Sequence, residues 1–317
     1  MVALPGSFPA PTEVDLTATA DALHGVPDDC VLLVDGLAFG VLPAELVSQV
    51  PVPVVALVHH PLALETGLDA ATAAKLADLE RAALALSDGV VVTSPMTRDT
   101  LVQGFGVAGS KITVAVPGLG SQWRAVERAP VDPPTVLAVG SLIPRKGYDV
   151  LLQALERLTD LEWRAVVIGS PDRAPATAAK VNAAAAALGD RVQLVGEASG
   201  DAVLKTAGEA TLFALATRYE GYGMVFLEAM AAGLPVVATR GGAAADVIAA
   251  DAGLLADVDD VEGVAAAIRA ILTDEALADR LSAGARRAGE AAQGWDDTAR
   301  QVSERLTAAR ETRVGWA

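Results

Sequence analysis

The chain is 317 residues long, more than one hydrophobic core usually spans, so two domains are expected. Forty acidic residues against 24 basic ones give a formal net charge of −16, which argues against nucleic acid or an anionic membrane surface as a partner. Hydrophobic residues make up 52% of the chain and mean hydropathy is +0.39. Even so, the longest apolar runs, Val50 to Val58 and Ala229 to Ala238, contain Pro or Gly and fall short of the roughly 18 residues of a spanning helix. No transmembrane segment is expected; the excess of Ala, Leu and Val suits helices packed on buried parallel strands. Cys30 is the single cysteine, so no internal disulfide can form, and beside an apolar strand it reads as a buried structural thiol. With no signal peptide visible at Met1, a cytoplasmic location is expected.

Along the chain, Val2-Ala-Leu4 can form only a short strand, and Pro5 to Thr12 is a Pro-rich connection to a helix. Strands are then predicted at Val31–Val34, Val52–Val58, Val90–Thr93 and Ile112–Val116. A second series follows at Val136–Gly140, Ala165–Gly169, Val192–Val195, Leu212–Ala214 and Val236–Thr239. Between them lie helical patterns at Asp69–Leu86, Tyr148–Leu158, Ala176–Leu188 and Val261–Leu272, and from Glu275 to about Arg310 the chain reads as helix with a break near Gly294-Trp295. Alternating strand and helix predicts an α/β protein with parallel sheets and helices on both faces. The stretch Gly118 to Pro134 is rich in Gly and Pro without sustained periodicity. It divides the chain into a first domain over residues 1–118, a linker over 119–134, a second domain over 135–294, and a C-terminal helix over 295–317 expected to pack back on the first domain.

The richest segment runs from Arg218 to Val237. It sets Glu220 in a Gly-rich loop, opens a helix at about Met224, places Glu228 one turn inside it, and ends it at Gly233-Leu234-Pro235 before an apolar strand. Free backbone N–H groups at a helix N-terminus suit an anion, particularly a phosphate. Two carboxylates beside an anion repel it, so they are better placed to accept hydrogen bonds from hydroxyls. Phosphate and hydroxyls together suggest a sugar nucleotide.

A second candidate site is Val139 to Val150, where a strand ends at Gly140 and Arg145 and Lys146 stand at the start of the next helix. The helix dipole disfavours cations there, which points to a ligand rather than to stability. Such a pair would neutralise a diphosphate and stabilise a departing one. No metal site is expected: Asp257-Val-Asp259-Asp260 reads as loop and N-cap acids, and three scattered His with one Cys are no ligand set. Ser94 lacks the Gly-x-Ser-x-Gly context of a hydrolase nucleophile.

On these two segments, with weaker support from Val90 to Ser94 and Ser110 to Gly118, the chain resembles the retaining, nucleotide-sugar-dependent glycosyltransferases of GT-B fold that carry a Glu-x7-Glu pair. The resemblance implies two Rossmann-like doubly wound domains. It would put Glu220 near hydroxyls of the transferred sugar and Glu228 on the ribose hydroxyls. Lys146 and Arg145 would hold the diphosphate, and backbone N–H groups of the Gly221-Tyr222-Gly223-Met224-Val225 loop would face the diphosphate or sugar. Gly169 and the Val195-Gly196 loop would border the nucleotide. Ser141 stands where the family usually has Arg, a charge that Arg145 of the same loop can replace, and Pro117-Gly118-Leu119 stands where Asn-Gly is common.

His59-His60-Pro61 follows the strongest strand of the first half, and in the family a His of this region lies near the reacting sugar and acceptor. Either His59 or His60 can fill that place, and Glu65 follows as a loop acid. The family's opening strand, Gly-rich loop and helix have no counterpart here, so a gap in the first sheet, a rearranged sheet or a misassigned start is expected. The sequence thus supports a glycosyltransferase taking a nucleoside diphosphate sugar as co-substrate, with no cofactor, and an unidentified hydroxyl acceptor. The other readings are a nucleotide-sugar-binding protein without transferase activity and an epimerase on the same fold.

Overall fold

The computed structural model describes residues 1–314. It divides into two compact units, residues 1–117 together with the last helix from Asp296 onward, and Gly118–Trp295.

In the first unit, Val2 to Leu4 form no strand, in contrast to the short strand expected there. The helix Glu13–His24 is started by a reciprocal cap, with Asp15 N–H donating to Thr12 Oγ1 at 3.2 Å and Thr12 N–H to Asp15 Oδ2 at 2.9 Å. Four strands follow: β1 (Leu32–Asp35), β2 (Val54–Val58), β3 (Gly89–Val92) and β4 (Ile112–Val114). All pair in parallel and lie in chain order β1-β2-β3-β4. No gap opens between neighbours, which corrects the expectation that a central strand is missing from between them. β1 is an edge strand instead, so the unpaired backbone sits at the margin of the sheet, where it costs least. β2 and β3 read as continuous apolar runs because both faces are covered: Val55, Ala56, Val90, Val91 and Val92 are buried. The last helix covers part of one face, with Ala309 in a cluster with Val55, Val91 and Ala115 and Thr298 Oγ1 donating to Val116 O at 2.7 Å. Cys30 is half-buried rather than buried.

In the second unit six parallel strands, β5 (Thr135–Val139), β6 (Arg164–Ile168), β7 (Val192–Gly196), β8 (Leu212–Leu215), β9 (Val236–Thr239) and β10 (Gly253–Ala256), run in the order β10-β9-β8-β5-β6-β7. Chain order reverses between β8 and β5, and a ligand crevice is expected outside the carboxyl ends of the strands at such a switch point. An edge-to-face pair, Phe213 on β8 with Phe226, centroids 5.8 Å apart, fastens the helix Met224–Ala231 to the sheet. Gly169 closes β6 so tightly against the loop after β5 that a Cβ would lie 1.9 Å from Gly140 O. Residues 119–134, expected as a linker, belong to this unit: Arg128 Nη1 donates to Gly233 O at 2.9 Å and Ala129 N–H to Gly208 O at 2.9 Å. Among the described residues no helix is long and apolar enough to cross a membrane.

One ionisable group in the first unit is out of place. Glu80, on the helix Ala70–Ala85, is 1% exposed, and its Oε1 has no hydrogen-bond partner among the described residues. Burial pushes this carboxyl up to about 8, against the weaker opposing pull of backbone N–H groups of Leu62 and Ala63. A raised acid is protonated in the fold and ionised in the unfolded chain, so the fold loses stability as pH climbs from about 4.5 to about 8. Glu80→Gln is therefore expected to stabilise the first unit by a few kcal/mol, on the order of 2–4, near pH 8 and much less near pH 5. Urea unfolding across that range checks it; a gain independent of pH would contradict the buried neutral acid.

Candidate active site

The loops after β5 and β8, the strands on either side of the order reversal, meet at Glu220. After β5 the chain passes Gly140 and Ser141, makes one tight turn over Pro144–Lys146, and enters the helix Tyr148–Glu156. Gly147, at φ +65°, joins turn to helix, and a Cβ there would lie 1.8 Å from Ala216 O. Only glycine permits both the left-handed backbone and this approach. Arg218 N–H donates to Arg145 O at 2.7 Å, so the two loops are joined at the backbone.

Between them lies a buried ion cluster. Lys146 Nζ donates to Glu220 Oε1 at 2.6 Å, and Arg145 Nη1 to Glu220 Oε2 at 3.2 Å and to Tyr219 O at 2.8 Å. The Thr217 hydroxyl lies 3.0 Å from Glu220 Oε1. Glu220 is 5% exposed and Lys146 9%. The Glu220 backbone is clamped by the loop after β9: its N–H donates to Gly241 O at 3.3 Å, and its carbonyl accepts from Ala243 N–H at 2.9 Å. A basic pair that the helix dipole disfavours is thus held by a carboxylate from the neighbouring loop. Outside it, Arg218 bridges Asp149 at 2.8 Å and Asp259 at 2.7 Å and donates to Pro144 O at 2.7 Å.

Glu228 sits differently. Its helix starts at Met224 behind Gly223, at φ +98°, with no side-chain cap. Glu228 is half-buried among Leu137, Val139, Phe213 and Val225, with a hydrogen bond from Trp123. Burial pushes its carboxyl up to about 7, while the Trp123 bond pulls the other way. Burial also raises the Tyr222 phenol. Tyr148 donates its hydroxyl proton to Gly140 O at 2.6 Å, and burial, reinforced by the Glu220 charge, keeps that proton on.

All the sequence-predicted donor residues lie in this unit: Ser141, Arg145 and Lys146 after β5, Gly169 after β6, Val195 at the end of β7, and Glu220 to Glu228 after β8. Gly169 N–H donates to Gly196 O at 2.8 Å, so those two strand ends share one rim. His59 and His60 follow β2 in the first unit. His59 Nε2 lies 3.3 Å from Asp35 Oδ2 and His60 Nε2 3.1 Å from Glu65 Oε2; the His60 side chain is the less exposed, 20% against 56%. Thr217, Trp123 and the Gly241-Gly242 loop were not singled out by sequence. The two glycines act through backbone geometry, Thr217 acts through a hydroxyl whose partners Arg145 and Glu220 come from two loops, and Trp123 stands in the stretch read as a linker. Asp260 caps the helix Val261–Thr273 by accepting from Gly263 N–H at 2.9 Å, and Asp259 is taken up by Arg218.

Glu220→Ala would leave Lys146 and Arg145 buried without their carboxylate, and is expected to cost about 3–5 kcal/mol of stability. Glu220→Gln combined with Lys146→Met removes both charges and should cost clearly less. Chemical denaturation of the two variants decides; equal losses would mean that the pairing does not matter.

A family model described as glycosyl transferases group 1 matches residues 121–288. A D-inositol 3-phosphate glycosyltransferase of Xylanimonas cellulosilytica is 32% identical over 238 residues, 69% of this chain and 57% of that protein. A GDP-mannose-dependent alpha-(1-6)-phosphatidylinositol monomannoside mannosyltransferase of Mycobacterium tuberculosis is 30% identical over 244 residues, 69% of this chain and 62% of that protein. The matched region thus spans little more than half the length of these relatives. Among solved structures, sucrose-phosphate synthase from Thermosynechococcus elongatus aligns with a TM-score of 0.80 at 24% identity, over 94% of this chain and 80% of that one. Anabaena HepE in complex with UDP-glucose aligns at 0.76 and 19% identity, over 92% of this chain and 82% of that one. Both likenesses give the fold, GT-B, with two Rossmann-like α/β units. By sequence, with a family model matched over more than half its length, the chain belongs to the group 1 glycosyl transferases.

Proposed function

We propose that this chain carries a retaining glycosyltransferase activity, moving a sugar from a nucleoside diphosphate sugar held on the second unit to a hydroxyl acceptor. The observation that carries it is the Lys146–Glu220–Arg145 cluster at the switch point, beside a helix that opens at Met224 without a side-chain cap. Two cations against one carboxylate leave one positive charge, which together with the helix N-terminus attracts a diphosphate. Glu220 lies within reach of the same cations, so the sugar hydroxyls it would accept from are brought next to the leaving group. Glu228 accepts from the ribose hydroxyls, and the backbone of Gly221 to Val225 lines the diphosphate and sugar. Ser141, Gly169 and Val195 border the nucleotide.

In the reaction the bond from the sugar's anomeric carbon to the phosphate oxygen breaks, its electron pair leaving with the diphosphate. The acceptor oxygen bonds to the same face of that carbon, and its proton passes to the departing phosphate oxygen. No protein nucleophile takes part. Arg145, Lys146 and the Met224 helix end supply the charge that stabilises the leaving group, so the proposal includes no divalent ion. His59 and His60 are the acceptor-side candidates. The relatives' names include a GDP-mannose-dependent enzyme, and HepE is seen with UDP-glucose, so GDP- and UDP-sugars are the donors to try first. A cytoplasmic site of action belongs to the same proposal.

Incubation with a panel of UDP- and GDP-sugars should release nucleoside diphosphate, unaffected by EDTA, and Lys146→Ala should slow release by roughly 10²-fold or more. Stabilisation by UDP or GDP without release would indicate a binding protein, and donor isomerisation without release an epimerase. Stabilisation by no nucleotide would overturn the donor site itself. Because Glu228 binds hydroxyls best as a carboxylate, nucleotide affinity should rise with pH through about 7 and then level off. Calorimetric titrations should show this rise in the native chain and a weaker, flat profile in Glu228→Gln.

A further inference from the structure

The histidine loop of the first unit is pinned at both ends by side chains from elements packed against it. At its start, Thr93 Oγ1, just beyond β3, donates to His59 O at 3.3 Å. At its end, Leu62 N–H donates to the Glu80 carboxyl at 3.0 Å. Only His60 and Pro61 lie between the anchored residues, so the two contacts leave the histidines little freedom. Pro61 opens the turn Leu62–Leu64 without capping it, and Glu80, reaching up from the helix Ala70–Ala85, receives the N–H groups that a cap would have taken. Gly40 makes room for this: a Cβ there would lie 2.9 Å from Leu62 Cδ1 and 3.3 Å from Glu80 Oε1. An apolar side chain at position 80 would avoid the cost of burying a carboxyl but would strand the turn's N–H groups. What Glu80 supplies is an acceptor for the first N–H groups of a turn whose N-cap residue, Pro61, offers no side-chain acceptor.

We propose that Glu80 is a positioning residue for the proposed transfer reaction: through Leu62 it fixes the backbone that presents His59 and His60 to the acceptor. The claim rests on the transferase reading for its effect on rate, but not for its effect on the loop. Glu80 touches no substrate. It acts in the first unit and has no part in donor binding, which lies on the second.

The test compares Glu80→Ala, Glu80→Gln and Thr93→Val in the full chain with the native protein. Donor turnover is followed as nucleoside diphosphate release from whichever UDP- or GDP-sugar the native chain accepts, with water or an added alcohol as acceptor. Glu80→Ala should lower kcat on the order of tenfold or more with KM for the donor little changed, since small misplacements of reacting groups have effects of this size. Glu80→Gln keeps a carbonyl acceptor for Leu62 N–H and should restore kcat to within roughly threefold of native. Thr93→Val loosens the other anchor and should act in the same direction, which keeps the test open if Glu80→Ala fails to fold. NMR titration of the histidine rings is the independent readout: the His59 and His60 signals should move in Glu80→Ala and return in Glu80→Gln. If the native chain turns over no donor, the transferase reading fails while the ring signals still decide the positioning role. Native kcat and native ring signals in Glu80→Ala would overturn it, and so would equal impairment of Glu80→Gln and Glu80→Ala.

Discussion

Glu220, a buried carboxylate, holds together the loops that follow β5 and β8. These strands are neighbours only because chain order reverses between them, and such a reversal is where an opening outside their carboxyl ends is expected. Glu220 closes that opening electrostatically, taking Lys146 on one oxygen and Arg145 on the other. Its backbone is held from a third strand through Gly241 and Ala243. Removing water from three charges is costly, and the arrangement is tolerable because each charge has short, directed partners. The same low-dielectric setting makes the cluster respond strongly to another anion. Packing and chemistry are therefore not separable at this point: the contact that orders the loops also sets the field in the crevice.

The fold was largely legible because buried parallel strands leave a plain mark. Runs such as Val54 to Val58 and Val90 to Val92 are apolar at every position, and the helices between them carry their own period. The nine strands expected from sequence were placed within one or two residues at their ends, but β10 (Gly253–Ala256) was not among them, and strand order was not legible. Periodicity says which residues are buried and nothing about which strand lies beside which, so the edge position of β1 came from the structure. Residues 119–134 were misleading for a related reason. Their Gly and Pro content suggests a free connection, whereas long-range bonds from Arg128 and Ala129 tie them to the second unit.

The candidate site was legible where it is local in sequence. Glu220 and Glu228 stand in one segment with their glycines, and Arg145 with Lys146 in another. Their pairing was not legible, since it spans some 74 positions of chain, and the unfavourable place of the two cations was explained by a ligand alone. Glu80 escaped notice because a lone Glu in an Ala-rich helix looks like any solvated acid. Only burial and the nearby turn reveal it. Trp123 escaped because its partner, Glu228, lies far along the chain.

The two acids of the Glu-x7-Glu pair show how one short segment can present opposite environments. Glu220 sits on the loop side of the left-handed Gly223 and faces two cations. Glu228, one turn into the helix, faces aliphatic and aromatic side chains and a single indole N–H. The first is held as part of a charged network with a residual positive charge. The second has no cation beside it among the described residues, and burial raises its carboxyl to about 7, at the edge of ionisation. Charge and hydroxyl recognition can then be divided between them without mutual repulsion, because the cations screen one acid while the apolar pocket limits ionisation of the other. In the proposed reaction a diphosphate would have to share Arg145 and Lys146 with Glu220, so it would gain only the unshared positive charge and the dipole of the Met224 helix. That moderate attraction suits a group that has to be bound, made to leave and then released.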